Sequence, residues 1–238
     1  MGLLILAPTE EELAALFPKD MRSHLPKEVA RPCALLSNHL AIQPVYTTLC
    51  GVGPVNAGIA LGASLGELQS RGIALDTVLL CGLAGSYDLT KAPLCSLWNV
   101  TEELYPEYGL NDGHTVVAEA FTWPQWKDSP KGTIANRIPL DDITLLTKDP
   151  KDIQSCLGIT VAGVSASFER TMELRERYHA TVENMEGFAV ALGCLRFGVR
   201  CLQIRSISNK VGPRKASEKD FQGALDRLGD ILPTLNLI

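Results

Sequence analysis

The 238-residue chain predicts an α/β domain, a largely parallel sheet covered by helices. Two observations predict it. Short apolar runs of strand length alternate with stretches of helical spacing along the chain. The composition, 46% apolar and 21% charged, supplies a sizeable core at a length that α/β folds commonly keep as one domain, here 1–238.

The elements follow in order. Residues 2–7 are apolar throughout, as a strand buried on both faces requires. Thr9-Glu10-Glu11-Glu12 opens a helix over 10–17, with Thr9 as cap and Glu12 reaching back to the backbone. A strand over 40–49 is broken at Pro44. Helical spacing over 54–71 begins with Pro54, which suits a first turn. A short apolar strand over 76–81 ends in Gly82. Strands at 159–164 and 199–208 and helices at 168–179, 184–197 and 218–232 complete the alternation. Between them, 101–147 holds Tyr105, Tyr108, Trp123 and Trp126 among prolines and glycines, with an alternating piece at 114–119. That stretch predicts long loops with one or two strands.

Charge and cysteine usage narrow the function classes. A net charge of −5 without any run of Lys or Arg argues against nucleic acid and anionic membrane as partners. The apolar N-terminus lacks the basic start and length of a signal peptide, and no segment reaches the ~18 apolar residues of a membrane span. A cytoplasmic protein is expected. Seven cysteines, at 33, 50, 81, 95, 156, 194 and 201, form no Cys-x-x-Cys, and the histidines at 24, 39, 114 and 179 are isolated. The pattern fits buried free thiols in a reducing cytosol, not a disulfide framework or a metal site.

Two motifs carry the chemistry. Val182-Glu183-Asn184-Met185-Glu186-Gly187-Phe188 precedes an apolar helical run, and Ile204-Arg205-Ser206-Ile207-Ser208-Asn209 ends a β-rich one. The layout puts a carboxylate, Glu186, at a helix start and an amide, Asn209, at a strand end. Both are places where open α/β sheets hold ligands. A helix start welcomes a carboxylate on dipole grounds alone, but Glu186 borders a face that should be buried and so wants hydroxyl or N–H donors. Glu183 is equally compatible with solvent exposure. Arg205, deep in a strand, needs a partner, because an unpaired buried guanidinium is too costly. Asn209 precedes Lys210-Val211-Gly212-Pro213 and also reads as a turn former. Cys50-Gly51-Val52-Gly53-Pro54 and Cys81-Gly82-Leu83-Ala84-Gly85-Ser86 read as tight strand-to-helix turns. Ser167 reads as a helix cap with Phe168 as a core anchor.

Glu-Asn-Met-Glu-Gly at 183–187 and Ser-Asn-x-Val-Gly-x-Arg at 208–214 resemble the nucleoside phosphorylase and nucleosidase superfamily, and within it the futalosine hydrolases. With the glutamates at 10–12, both glycine turns and 165–168, the resemblance covers essentially the whole chain. It implies a three-layer α/β/α fold around a central mixed sheet. It implies a homodimer or larger homo-oligomer that takes a small-molecule purine nucleoside, with no cofactor and no metal.

The resemblance also implies roles. Glu186 would grip the ribose, Met185 lie against the sugar and Phe168 stack on the purine. Glu12 falls where nucleosidases activate the attacking water, so it has two readings, base and helix cap. Gly82 and Leu83 fall where the superfamily carries a hydroxyl residue beside an anion or water. Leu83 lacks that hydroxyl, and three carboxylates at 10–12 would repel phosphate, so water is the expected nucleophile. Arg205 would pair with a carboxylate or hold the water. Asn209 stands where adenine-releasing enzymes carry Asp; its amide can donate to O6 and accept from a protonated N7, which favours a 6-oxopurine. The implied reaction releases hypoxanthine from futalosine in menaquinone biosynthesis. The benzoate of futalosine asks for a cation, for which Arg214 is the candidate, and a wall, for which the loop around Trp123 is. The rival readings are an adenine-releasing nucleosidase, a 6-oxopurine phosphorylase and a non-catalytic nucleoside-binding protein.

Overall fold

The computed structural model describes residues 2–35, 44–113, 115–147, 150 and 153–237. β1 (Gly2–Ala7) is buried along its whole length. It pairs in parallel with β3 (Val45–Leu49) on one side and β4 (Leu75–Ser86) on the other, and β2 (Cys33–Leu35) adds antiparallel to β3. β5 (Leu97–Leu104) follows β4 in the chain. β6 (Leu110–Asn111) with β7 (Val116–Val117), and β8 (Trp126–Ser129) with β9 (Gly132–Ile134), make two small hairpins. β10 (Arg137–Pro139) edges β5 antiparallel, and β11 (Ile153–Thr160), β12 (Val182–Asn184) and β13 (Arg200–Lys210) complete the main sheet. Among the described residues this sheet has nine strands, both parallel and antiparallel.

The period of two along β1 decides the layers. Leu4 and Leu6 point to one face, where α2 (Pro54–Ser70) and α4 (Gly187–Phe197) bury Ala57, Ala60, Leu61, Val190 and Ala191. α3 (Phe168–Tyr178) follows β11 in the chain and buries Leu174 beside Ile159. Leu3, Ile5 and Ala7 point to the opposite face. There α1 (Glu10–Ala15), α5 (Phe221–Leu228) and α6 (Ile231–Thr234) bury Leu13, Leu228 and Ile231. Each fully buried leucine contributes about 1.5–3 kcal/mol. Helices on both faces of a mixed sheet make the expected three layers.

One feature of the sheet positions the site. β4 pairs with β13 in parallel and with β12 antiparallel. β13 pairs antiparallel with β5, β5 pairs with β11, and β11 pairs with β12. These five strands therefore close a ring at the centre of the sheet.

Several sequence expectations need correction. β4 runs straight through Cys81-Gly82-Leu83-Ala84-Gly85-Ser86, so that stretch is strand and not a strand-to-helix turn. Residues 182–184 form β12, and the helix expected from 184 starts at Gly187. The expected strand at 159–164 is β11, which lies earlier in the chain. The closing helix is a 3₁₀ turn at Ala216–Glu218 followed by α5 and α6, which Gly229 separates. Of the strand expected at 40–49, residues 40–43 lie outside the described residues, as do His39 and His114. The 101–147 region holds more strand than expected. β5 starts before it and was hidden because its Asn99 and Glu103 are buried polar residues that break an apolar reading.

Candidate active site

The ends of β4 and β13, the start of α4 and the first turn of α1 surround a cleft of about 300 Å³. Glu12, Leu83, Met185, Glu186 and Asn209 all line it. Residues spread over most of the chain are brought together because β1, β4 and β13 end at the same edge of the sheet, the side where α/β folds bind ligands.

Glu12 is buried on α1. Thr9 caps the helix, its hydroxyl accepting from the Glu12 N–H at 3.2 Å. The expected reciprocal bond is replaced. The Glu12 carboxylate reaches across to β4, where Oε1 accepts from the Leu83 N–H at 2.8 Å, while Oε2 accepts from the Thr9 hydroxyl at 2.7 Å. Burial pushes the Glu12 carboxyl above the usual carboxylate range, against the pull of the Leu83 N–H, the Thr9 hydroxyl and Arg205. Gly82 sits behind this carboxylate and does not line the cleft. A Cβ there would come within 2.8 Å of Arg205 Nη1 and 3.0 Å of Glu12 Oε1, so only glycine lets the two approach.

Glu186 is buried at the entry to α4. Its Oε1 accepts from the Gly53 N–H at 3.1 Å, which gives the first glycine turn a job beyond turning. Its Oε2 accepts from Arg205 Nη1 at 3.1 Å. Arg205 has 0% exposure and stands behind the cleft wall. It also donates from Nη1 to the Leu83 carbonyl at 3.3 Å and from Nη2 to Asn184 Oδ1 at 3.1 Å. The buried guanidinium is thus paired, as its burial demanded.

Asn209 follows a register shift in β13, between Ile207 and Asn209, that re-aims the strand end. Its Oδ1 accepts from the Ser208 hydroxyl at 2.9 Å, and its Nδ2 donates to the Lys210 carbonyl at 2.8 Å. The segment 210–221 adds four cations to the cleft, Lys210, Arg214, Lys215 and Lys219, together with Phe221. Glu218 in the same segment pairs with Lys210 at 3.1 Å and Lys215 at 3.9 Å.

Two expectations fail on placement. Phe168 is 63% exposed and is neither a core anchor nor part of the cleft. Ser167 caps α3 as expected, its hydroxyl accepting from the Arg170 N–H at 3.2 Å. Trp123 is 70% exposed and also lies outside the cleft. Glu183 is not exposed. Its carboxylate accepts from the Tyr87 hydroxyl at 2.9 Å and from the Ser165 hydroxyl and N–H at 2.6 and 2.9 Å. This fixes Val164 and Ser165 as a cleft wall.

Sequence reasoning missed the polar residues beneath the site. Asn184 Oδ1 accepts from the N–H groups of Glu186 and Gly187, at 3.0 and 2.7 Å, as well as from Arg205. Its place inside the 182–188 motif was the available signal. Glu103, Thr160 and Gln203 gave none: Thr160 and Gln203 are single polar residues in strand-like runs, and Glu103 follows Thr101 and Glu102 in a stretch that reads as loop.

Residues 3–232 match the sequence profile of the phosphorylase superfamily. The chain belongs to the phosphorylase superfamily. It is 32% identical over 183 residues to the futalosine hydrolase of Thermus thermophilus, covering 75% of each chain. It is 29% identical over 192 residues to that of Streptomyces coelicolor, covering 78% of this chain and 77% of the relative. Among solved structures, Helicobacter pylori futalosine hydrolase and the H. pylori 5′-methylthioadenosine/S-adenosylhomocysteine nucleosidase bound to butyl-thio-DADMe-Immucillin-A each match with a TM-score of 0.75. The identity is 18%, over 99% of this chain and 97% of theirs. At that identity the structures speak for the fold.

Proposed function

We propose that this chain hydrolyses the N-glycosidic bond of futalosine, releasing hypoxanthine and leaving dehypoxanthine futalosine, as a step of menaquinone biosynthesis in the cytoplasm. The observation that carries the reading is one cleft holding a buried carboxylate of raised pKa, Glu12, a hydrogen-bonded ribose-type carboxylate, Glu186, and an amide, Asn209. The identity to two futalosine hydrolases points to the same substrate.

The chemistry follows from charge flow. As C1′–N9 breaks, electrons move into the purine and positive charge builds on the sugar. Asn209 donates to O6 and accepts from N7–H, which stabilises the leaving base. Glu186 holds the ribose hydroxyls and Met185 the apolar face of the sugar. Glu12 orients water at C1′ and takes its proton. The cations of 210–221 supply the counter-charge for the benzoate, with Phe221 in place of Trp123 as the apolar wall.

The experiment is a comparison of futalosine, inosine, adenosine and methylthioadenosine with and without phosphate. Futalosine is cleaved fastest, the rate ignores phosphate, and no sugar 1-phosphate forms. Detection of a sugar 1-phosphate by mass spectrometry, or preference for an aminopurine, would sink the reading. Asn209→Asp in the same assay costs futalosine cleavage about 1–3 kcal/mol of transition-state binding, because a carboxylate has no proton to offer O6. Aminofutalosine loses less. An unchanged ratio of kcat/KM for the two substrates would mean that Asn209 does not read the base.

A homo-oligomer belongs to the same reading. Val52, Val55 and Ile59 are exposed beside Gly53, and α2 carries no charged side chain before Glu67. Val52 also lines the cleft, so a second copy seated there would close its mouth. Ile59→Asp is expected to yield a monomer in sedimentation equilibrium, and an unchanged mass would exclude this face.

A further inference from the structure

Under Glu186, inside the five-strand ring, lies a fully buried carboxylate that the proposed chemistry does not use. Glu103 on β5 accepts from Asn184 Nδ2 at 2.6 Å, Gln203 Nε2 at 2.8 Å and the Thr160 hydroxyl at 2.8 Å. Three converging donors are the environment of an ionised acceptor. Gly187, the glycine of Met-Glu-Gly, packs directly on it, and a Cβ there would overlap the Glu103 carboxylate; Gly158 packs on the same carboxylate. The motif glycine is therefore required by a residue more than eighty positions earlier.

The charges in this ring do not balance one to one. Among the described residues, Glu12, Glu186 and Glu103 surround a single guanidinium, Arg205. Asn184 joins them: its Oδ1 accepts from Arg205 while its Nδ2 donates to Glu103. Glu12 and Glu186 already outnumber the guanidinium, and Glu103, linked to it through Asn184, adds when ionised to the negative charge near C1′, where positive charge develops. In a water-poor interior such a charge acts strongly across several ångströms.

We propose that Glu103 is a positioning residue for the hydrolysis, offsetting Arg205 through Asn184 so that Glu186 keeps its charge toward the developing oxocarbenium ion. The inference rests on the nucleosidase reading above. It predicts a split between kcat and KM, because the ground-state sugar is neutral and only the transition state gains.

Burial pushes Glu103 up to about 7, against the pull of Arg205, Thr160, Gln203 and Asn184. Those groups, with the Cys156 thiol, are what face it from β11, β12 and β13. Its ionised form is the active one, so kcat rises with pH through the neutral range.

The test is the pH profile of kcat on futalosine for wild type, Glu103→Gln and Gln203→Leu, with folding followed by circular dichroism. Glu103→Gln keeps the shape and loses the charge: kcat falls ~10- to 100-fold with KM little changed, and the neutral limb disappears. Gln203→Leu removes one donor, and its Oε1 has no partner among the described residues, so little else is lost. The limb then moves to higher pH, which a Glu12 limb would not do. An inactive wild type refutes the nucleosidase reading and not this inference alone. An active wild type with a flat neutral profile, a Glu103→Gln variant of unchanged kcat, or a limb that Gln203→Leu leaves in place would each overturn the role of Glu103.

Discussion

Glu12→Gln lowers kcat by roughly 10²–10⁴, the usual worth of a general base, while hypoxanthine still binds. The substitution is nearly isosteric. The amide oxygen can still accept from the Leu83 N–H, and Thr9 still caps α1, so the helix and the cleft wall persist. What disappears is the capacity to take a proton from water, a capacity that burial raises. Thr9→Ala is the matching control. It removes the cap at a cost of about 0.5–2 kcal/mol in stability and leaves the carboxylate on the Leu83 N–H. Single-turnover cleavage of futalosine by both variants separates the two roles of this turn. An active Glu12→Gln enzyme would reduce Glu12 to helix structure.

Arg205→Leu is the change with the largest effect on the fold, destabilising it by about 3–5 kcal/mol near neutral pH. The guanidinium is the only cation within the ring of Glu12, Glu186 and Glu103 among the described residues, and its removal strands buried carboxylates. The pH dependence carries the diagnosis. A carboxyl whose folded pKa is raised, as for Glu103 from 4.5 to about 7, binds a proton in the folded state that the unfolded chain has released. Its contribution is therefore present below the unfolded pKa and is lost as pH rises through the folded one. Without Arg205 the window extends to higher pH and the loss is larger. Urea unfolding of wild type and variant at pH 5 and pH 8 measures it: the gap between them widens at pH 8. An equal gap at both values would mean that Arg205 contributes packing and not charge.

The parts of the site that were legible in the sequence are those where chemistry and local pattern coincide. Glu186 and Asn209 were found because a carboxylate at a helix start and an amide at a strand end are conspicuous against apolar runs. Arg205 was found because a cation inside a strand demands a partner, and Glu186 is that partner. Phe168 was misplaced for a geometric reason: the spacing that opens a helix does not fix which side of it the first residue faces. Gly82 read as a turn because glycine usually marks one, whereas here it leaves room for Arg205 and Glu12 to pack against the strand. Glu103, Gln203 and Thr160 were invisible singly. Thr160 and Gln203 both donate to Glu103 across strands far apart in the chain, and no local window contains such a relation.

The ring of β4, β12, β11, β5 and β13 also dictates when the site comes into being. β13 is the last strand among the described residues, and its pairing with β4 and β5 closes the circuit. Contacts over such sequence separations form late, because loop-closure entropy is lost before they repay it. Until β13 docks, the carboxylates of the centre lack Arg205, and the cleft lacks Asn209 and the cations that follow. A nascent chain therefore carries an incomplete centre until β13 and the segment after it have been synthesised. Assembly and competence arrive in one step, and a chain that stops short of residue 200 folds, at best, into something with no site to offer.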